Sequence, residues 1–210
     1  VHHNTGKTTL CYTTNAYQAY LFSCFNSPQR LYGLSPVTPI VFMMQSVSQT
    51  ITKRIIYRPF RDLMTAMPFA QKWLVWDKRR ESELAFDNGV TVVPALANLE
   101  AILGQAIAGS MNDEVNFMRI IENSKQTMGA RGKGGLFDQA TEVVSNIVRR
   151  RQRSFQTQGY SMGVLCILSS TRYKNDFLDK RMDEVKALNL PNVLCLRRKQ
   201  YEVVPQDRFS

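Results

Sequence analysis

Three short stretches of this sequence hold side chains suited to phosphate chemistry. The first is Thr5-Gly6-Lys7-Thr8-Thr9, which ends the pattern G-x-x-x-x-G-K-[ST]. Gly6 allows backbone amides to turn toward phosphate oxygens. The amides of a helix opening at Thr8 add partial positive charge. Lys7 brings a full charge to the β and γ phosphates, and the Thr8 hydroxyl suits Mg²⁺. The first glycine of the pattern would fall at residue 1, where Val1 stands, and the strand expected ahead of the turn is missing. The plainer alternative is an ordinary glycine before a helix.

The second stretch is Asp113-Glu114, which closes the small-residue apolar run Ala106-Ile107-Ala108-Gly109-Ser110-Met111. Two adjacent carboxylates at a strand end can divide the labour. Asp113 would hold Mg²⁺ through water, and Glu114 would act as general base on the attacking water. The alternative is a helix N-cap with an acidic first turn. The third stretch, Ser169-Ser170-Thr171, follows the apolar run Gly163-Val164-Leu165-Cys166-Ile167-Leu168. Hydroxyls there could sense a γ-phosphate and couple hydrolysis to motion, although Ser and Thr also build common turns.

Positioning these groups requires alternating strands and helices. Residues 8–24 read as a helix and residues 25–37, with Pro28, Gly33 and Pro36, as a loop. Residues 39–44 read as a buried strand, followed by a basic helix across 48–66. Phe86-Asp87-Asn88-Gly89-Val90 predicts a hairpin turn, and 129–135 a glycine-rich loop. Helices are expected at 137–155 and 176–187, and strands at 163–168 and 192–197. The expected fold is α/β, with a mostly parallel central sheet flanked by helices.

The order of the parts resembles the large terminase subunit of tailed bacteriophages, specifically its N-terminal ATPase domain. Thr5-Gly6-Lys7-Thr8, Asn112–Met118, Ser169–Phe177 and Val203–Ser210 carry the resemblance, which spans almost the whole chain. It implies a P-loop NTPase of the additional-catalytic-glutamate type, occupying 1–210 as one domain that is trimmed at its N-terminus. No nuclease site is expected here, because the family's nuclease domain would follow. The resemblance implies ATP and Mg²⁺ as cofactors and double-stranded DNA as the translocated partner. It further implies a homo-oligomeric ring, a portal protein, a small terminase subunit and a host-cytoplasmic setting. The family's arginine finger does not transfer, since residues 101–113 and 1–9 hold no arginine. Arg131, Arg149, Arg150, Arg151 and Arg153 are the candidates for a finger or for DNA contact.

Composition agrees with such partners without choosing among them. The 210 residues carry a net charge of +10, which favours a polyanion. Lys53, Arg54, Arg58 and Arg61 share one helical segment, and Arg197-Arg198-Lys199 form a further cluster. Any of these could touch phosphates without reading sequence. No apolar run approaches the roughly 20 residues of a membrane span, so no membrane partner is expected. Cys11, Cys24, Cys166 and Cys195 form no CxxC pair and read as buried free thiols. Trp73 and Trp76 read as core residues, and His2 and His3 as end residues. Two other readings stay open: a P-loop helicase or translocase of another family, and a non-hydrolysing DNA-binding module with a decayed P-loop.

Overall fold

The computed structural model describes residues 6–124, 135–157, 160–199 and 202. Helix α1 (Lys7–Ser23) starts from Gly6, whose φ of 73° lies in the left-handed region open to glycine. A short helix α2 (Pro28–Leu31) interrupts the expected loop. Strand β1 (Ile40–Ser46) follows, buried along its whole length. The next helical segment runs through α3 (Gln49–Ile51), a π-helical turn (Thr52–Tyr57) and α4 (Arg58–Ala66). After α5 (Pro68–Trp73) come β2 (Leu84–Ala85) and β3 (Val90–Leu96). The chain continues through α6 (Leu99–Ile102) into β4 (Ala106–Asn112), again wholly buried.

Beyond β4 a hairpin of β5 (Ile120–Ser124) and β6 (Gly135–Asp138) leads into α7 (Gln139–Phe155). The Asp138 carboxylate caps α7 by accepting from the Ala140 and Thr141 amides, an arrangement that stabilises a helix by about 1 kcal/mol. A two-residue hairpin, β7 (Gln156–Thr157) with β8 (Tyr160–Ser161), precedes β9 (Leu165–Ile167) and α8 (Phe177–Ala187).

The main sheet has the order β2-β3-β1-β4-β9. Strands β3, β1, β4 and β9 are parallel, and only β2 is antiparallel. Central parallel strands are covered on both faces and therefore read as near-continuous apolar runs. Alternation along β1 distributes its side chains between two cores. Phe42 and Met44 pack with Tyr12, Phe22, Ile56 and Phe60 from α1 and the β1–β2 helices. Val41 and Met43 pack on the opposite side with Val143 and Ile147 of α7. The expected mostly parallel sheet between helical layers is the architecture observed.

Several expectations need correction. The basic helix at 48–66 is not uniform, because Pro59 supplies no amide to its preceding turn; the widened Thr52–Tyr57 stretch lies there. The strand expected at 192–197 does not form, and Val193, Leu194 and Leu196 are exposed. The chain turns back at the end of α8, where the Leu190 amide bonds the Val185 carbonyl, and no strand of the sheet lies alongside to pair. Apolar composition without a partner strand does not make a strand. The glycine-rich loop falls outside the described residues except Gly135, which opens β6. Cys24 and Trp73 are exposed, unlike Cys11 and Trp76. The Asn88-Gly89 hairpin does form, as a three-residue turn with Gly89 at φ 78° and the Gly89 amide on the Phe86 carbonyl.

Gly163 makes the closest backbone approach in the sheet layer. Its φ is 82°, and a Cβ there would come within 1.9 Å of the Ala108 carbonyl oxygen. Gly163→Ala is expected to destabilise the fold by about 2–5 kcal/mol, combining left-handed strain with overpacking. Denaturant unfolding checks this, and a loss below about 1 kcal/mol contradicts the packing described.

Candidate active site

All four parallel strands end on the same edge of the sheet, where open α/β sheets bind ligands. Three polypeptide segments meet there. The first is the start of α1. Among the described residues no side chain caps this helix, and no acid lies in its first turn. Its leading amides therefore keep their unfilled donor capacity and the positive end of the helix dipole. Lys7 and Thr8 are half-buried at this end, whereas Thr9 is exposed.

The second segment is the end of β4. The Asp113 amide donates to the Gln45 carbonyl at 2.9 Å, which fixes the carboxylate beside the end of β1. Asp113 is buried. Its charge also helps hold the Tyr12 hydroxyl above its ordinary pKa, after burial, the larger cause. Helix α1 packs against β4, the strand that leads into Asp113. Glu114 adopts φ 55°, ψ 39°, a left-handed conformation that costs a non-glycine residue about 1–2 kcal/mol. Its amide donates to its neighbour's Asp113 Oδ1 at 3.0 Å.

The third segment follows β9. Ser169 Oγ donates to Glu114 Oε2 at 3.3 Å, and the Ser170 amide donates to the same oxygen at 3.4 Å. Lys7 Nζ donates to Ser170 Oγ at 3.2 Å. Ser170 thus touches both the ammonium of the phosphate turn and the carboxylate of the β4 end. Thr171 is exposed and makes no such contact.

Two buried residues that the sequence reading assigned no role hold this arrangement together. Asn116 Nδ2 donates to the Ser170 carbonyl at 3.0 Å and to Asp176 Oδ2 at 2.7 Å. The Asn116 amide donates to Ser169 Oγ at 3.2 Å. Asp176 also accepts from the Arg172 and Asp179 amides, the latter as the N-cap of α8. The sequence signal for Asp176 was its place just before a helical segment, where Asp is a favoured cap.

The residues suit a Mg²⁺ ion. Mg²⁺ is typically held by one or two protein oxygens together with substrate phosphates, and the Thr8 hydroxyl and Asp113 carboxylate are such donors. Gln45 Oε1, Ser46 Oγ and Asn112 Oδ1 are buried at the same edge and have no hydrogen-bond partner among the described residues. Unpaired buried oxygens of this kind suit a hydrated ion, because its waters can donate to them.

The four arginine candidates among the described residues lie elsewhere. The start of α7 is beside the carboxyl edge, since Gln139 donates to the Ala97 carbonyl just past β3. Arg149–Arg153 sit roughly 15–21 Å further along that helix, at a rise of about 1.5 Å per residue. Arg150 reaches the Gln105 carbonyl. Arg151 donates to the carbonyls of Ala108 at 2.9 Å and Gly163 at 2.6 Å. Its guanidinium is desolvated, which lowers its pKa. Arg151 thus clamps β4 to the segment that leads into β9. Arg149 and Arg153 are exposed on that far side. Thr5 and Arg131 lie outside the described residues. Arg172, one residue beyond Thr171, is at the carboxyl edge, its guanidinium carbon 5.6 Å from the Phe117 ring centre.

A parallel sheet with a glycine-opened helix, a lysine and an acidic strand end at its carboxyl edge defines a P-loop domain. The chain belongs to the family described as the N-terminal P-loop domain of uncharacterized protein MJ0330, whose model matches residues 3–209. No curated protein matches the sequence. Among solved structures, the fold is similar to the large terminase of bacteriophage HK97, with a TM-score of 0.51 and 14% identity over 93% of this chain. The match covers 33% of that terminase, so the chain spans about a third of its length. A weaker likeness links it to the large terminase of a thermophilic bacteriophage in complex with ADP, with a TM-score of 0.34 and 15% identity. That match covers 61% of this chain and 26% of the other.

Arg151→Met and Arg153→Met separate a buried clamp from a surface charge. The first is expected to cost about 2–4 kcal/mol, because buried carbonyls lose their donor, and the second about 0.5 kcal/mol or less. Paired denaturation curves read the difference, and equal stabilities would refute the assignment of Arg151.

Proposed function

We propose that this chain is the ATP-hydrolysing motor domain of a machine that moves double-stranded DNA. The observation that carries the reading is the Lys7–Ser170–Glu114 contact, which joins three chain-distant segments at the carboxyl edge of the sheet.

In this reading the α1 amides and Lys7 bind the β and γ phosphates. Thr8 and Asp113 hold Mg²⁺, which neutralises charge on the phosphate oxygens when bound. Glu114 accepts the proton of the water that attacks the γ-phosphorus. The Ser169 hydroxyl and Ser170 amide orient its carboxylate, because both donate to the same oxygen. Phosphate oxygens compete with Ser170 for Lys7. Ser170 loses that partner when phosphates bind, so occupancy is passed to the segment after β9. Asn116 and Asp176 then carry the change to the start of α8.

The terminase-like fold and the net charge of +10 support double-stranded DNA as the track. Ring assembly, a portal and a small terminase subunit belong to the same proposal and rest on the resemblance. Packaging of viral DNA into a capsid is its most specific form.

Glu114→Gln tests the core of the proposal. Mg²⁺-dependent ATP hydrolysis is expected to fall about 10²–10⁴-fold, the usual contribution of a general base, while ATP affinity stays near the parent value. Steady-state hydrolysis and equilibrium nucleotide binding supply the two readouts, each with and without double-stranded DNA. A parent protein without hydrolysis at concentrations that allow assembly would point instead to a binding module. Hydrolysis indifferent to duplex DNA would remove the motor reading.

A further inference from the structure

The helical segment after β1 contains a feature the catalytic reading leaves unused. Pro59 has no amide N–H, so the Ile55 carbonyl four residues earlier lacks its α-helical donor. The helix widens to a π turn over Thr52–Tyr57, a geometry frequent at functional sites. The Tyr12 hydroxyl donates to that Ile55 carbonyl at 2.7 Å. Tyr12 lies on α1, five residues beyond Lys7, and is buried with its ring 6.2 Å from that of Phe60. Burial, and after it the Asp113 charge, keep its hydroxyl protonated and so always a donor.

The outer side of the same turn is strongly basic. Lys53, Arg54 and Arg58 are exposed, and among the described residues none of them has an ion pair or a side-chain hydrogen bond. Arg61 donates to the Lys78 carbonyl at 2.7 Å, which draws the basic Lys78–Arg80 stretch against this helix. The exposed apolar neighbours are Ile51 and Ile55. They offer no aromatic platform for unstacked bases, so the chemistry suits phosphates of a duplex over single-stranded bases.

We propose that Tyr12 is a positioning residue that links the phosphate turn to a duplex-binding surface made by Lys53, Arg54 and Arg58. This rests on the reading of the carboxyl edge as a nucleotide site. A displacement of α1 on phosphate binding moves the Tyr12 hydroxyl. The Ile55 carbonyl, which Pro59 cannot serve, follows it, because separation would leave a polar group unpaired. The π turn then re-aims Lys53 and Arg54, and with them Arg58 at the start of α4. Coupling of this kind is reciprocal: duplex must alter nucleotide affinity by the factor with which nucleotide alters duplex affinity.

The experiment measures both affinities on the full chain, using a short mixed-sequence DNA duplex and a non-hydrolysable ATP analogue with Mg²⁺. In the parent each ligand is expected to change the other's affinity about fivefold or more, within the usual range of coupling. Tyr12→Phe keeps the ring and removes only the hydroxyl. It should bring that factor to about two or less while leaving each separate affinity nearly unchanged. Pro59→Ala restores an amide that competes for the Ile55 carbonyl, and it should weaken coupling even if Tyr12→Phe folds poorly. The triple change Lys53→Ala, Arg54→Ala and Arg58→Ala should weaken duplex binding and lower its salt slope by about three. It should not alter nucleotide affinity measured alone.

Coupling retained in full by Tyr12→Phe or Pro59→Ala overturns the link. An unchanged salt slope in the triple variant, or tighter binding of single strands than of duplex, overturns the surface. A parent that binds both ligands without mutual influence overturns this inference and leaves the nucleotide site standing. A parent that binds no nucleotide overturns both.

Discussion

Parallel strand pairing is the constraint on which the site depends. One ladder of backbone hydrogen bonds sets the spacing of its parts. Gln45 stands opposite Asn112, and Asn112 opposite Ile167. The Asp113 amide continues the first pairing onto the Gln45 carbonyl, and the Leu168 amide continues the second onto the Asn112 carbonyl at 2.8 Å. The next residues along each chain are Glu114 and Ser169. Their side chains meet because the register beneath them allows no other alignment: a slip of one residue would turn every strand side chain to the opposite face.

Polar groups gather at both edges of the sheet. At the amino edge, the half-buried Arg151 guanidinium fills carbonyls of β4 and of the segment before β9. Gly163 permits the close backbone approach beneath it. At the carboxyl edge, Gln45, Ser46 and Asn112 each keep a buried oxygen unpaired, and Glu114 holds a left-handed backbone. An unpaired buried polar group costs about 1–3 kcal/mol.

Much of this was legible in the sequence. The long apolar runs at 39–44 and 106–111 announced central parallel strands, because both faces of such strands are covered. Asn88-Gly89 announced its hairpin through the left-handed residue a tight turn needs. Lys7, Asp113, Glu114 and Ser170 stood out as residue types suited to phosphate chemistry, and the fold brings Lys7, Ser170 and Glu114 into contact. The failures share a different cause. Residues 192–197 are as apolar as a strand, but strand formation is decided by a partner that sequence does not display. Asn116 and Asp176 are 60 positions apart, and their hydrogen bond exists only after β9 and α8 are placed. The π turn follows from one proline inside a good helical pattern, where periodicity alone reports an uninterrupted helix.

Charge is where sequence and structure diverge most usefully. The densest basic run, Arg149–Arg153, invites a reading as a single polyanion surface. A helix rotates about 100° per residue, so Arg151 points away from Arg149. Arg151 turns inward onto carbonyls while Arg149 and Arg153 face solvent. By contrast, Lys53, Arg54 and Arg58 all remain exposed. Exposure, rather than density in the sequence, decides which cations are open to a partner. The same argument separates Lys7 from the net charge of +10. Its effect comes from a fixed place at the positive end of α1, half-buried and hydrogen-bonded, where a charge is screened less than on the open surface.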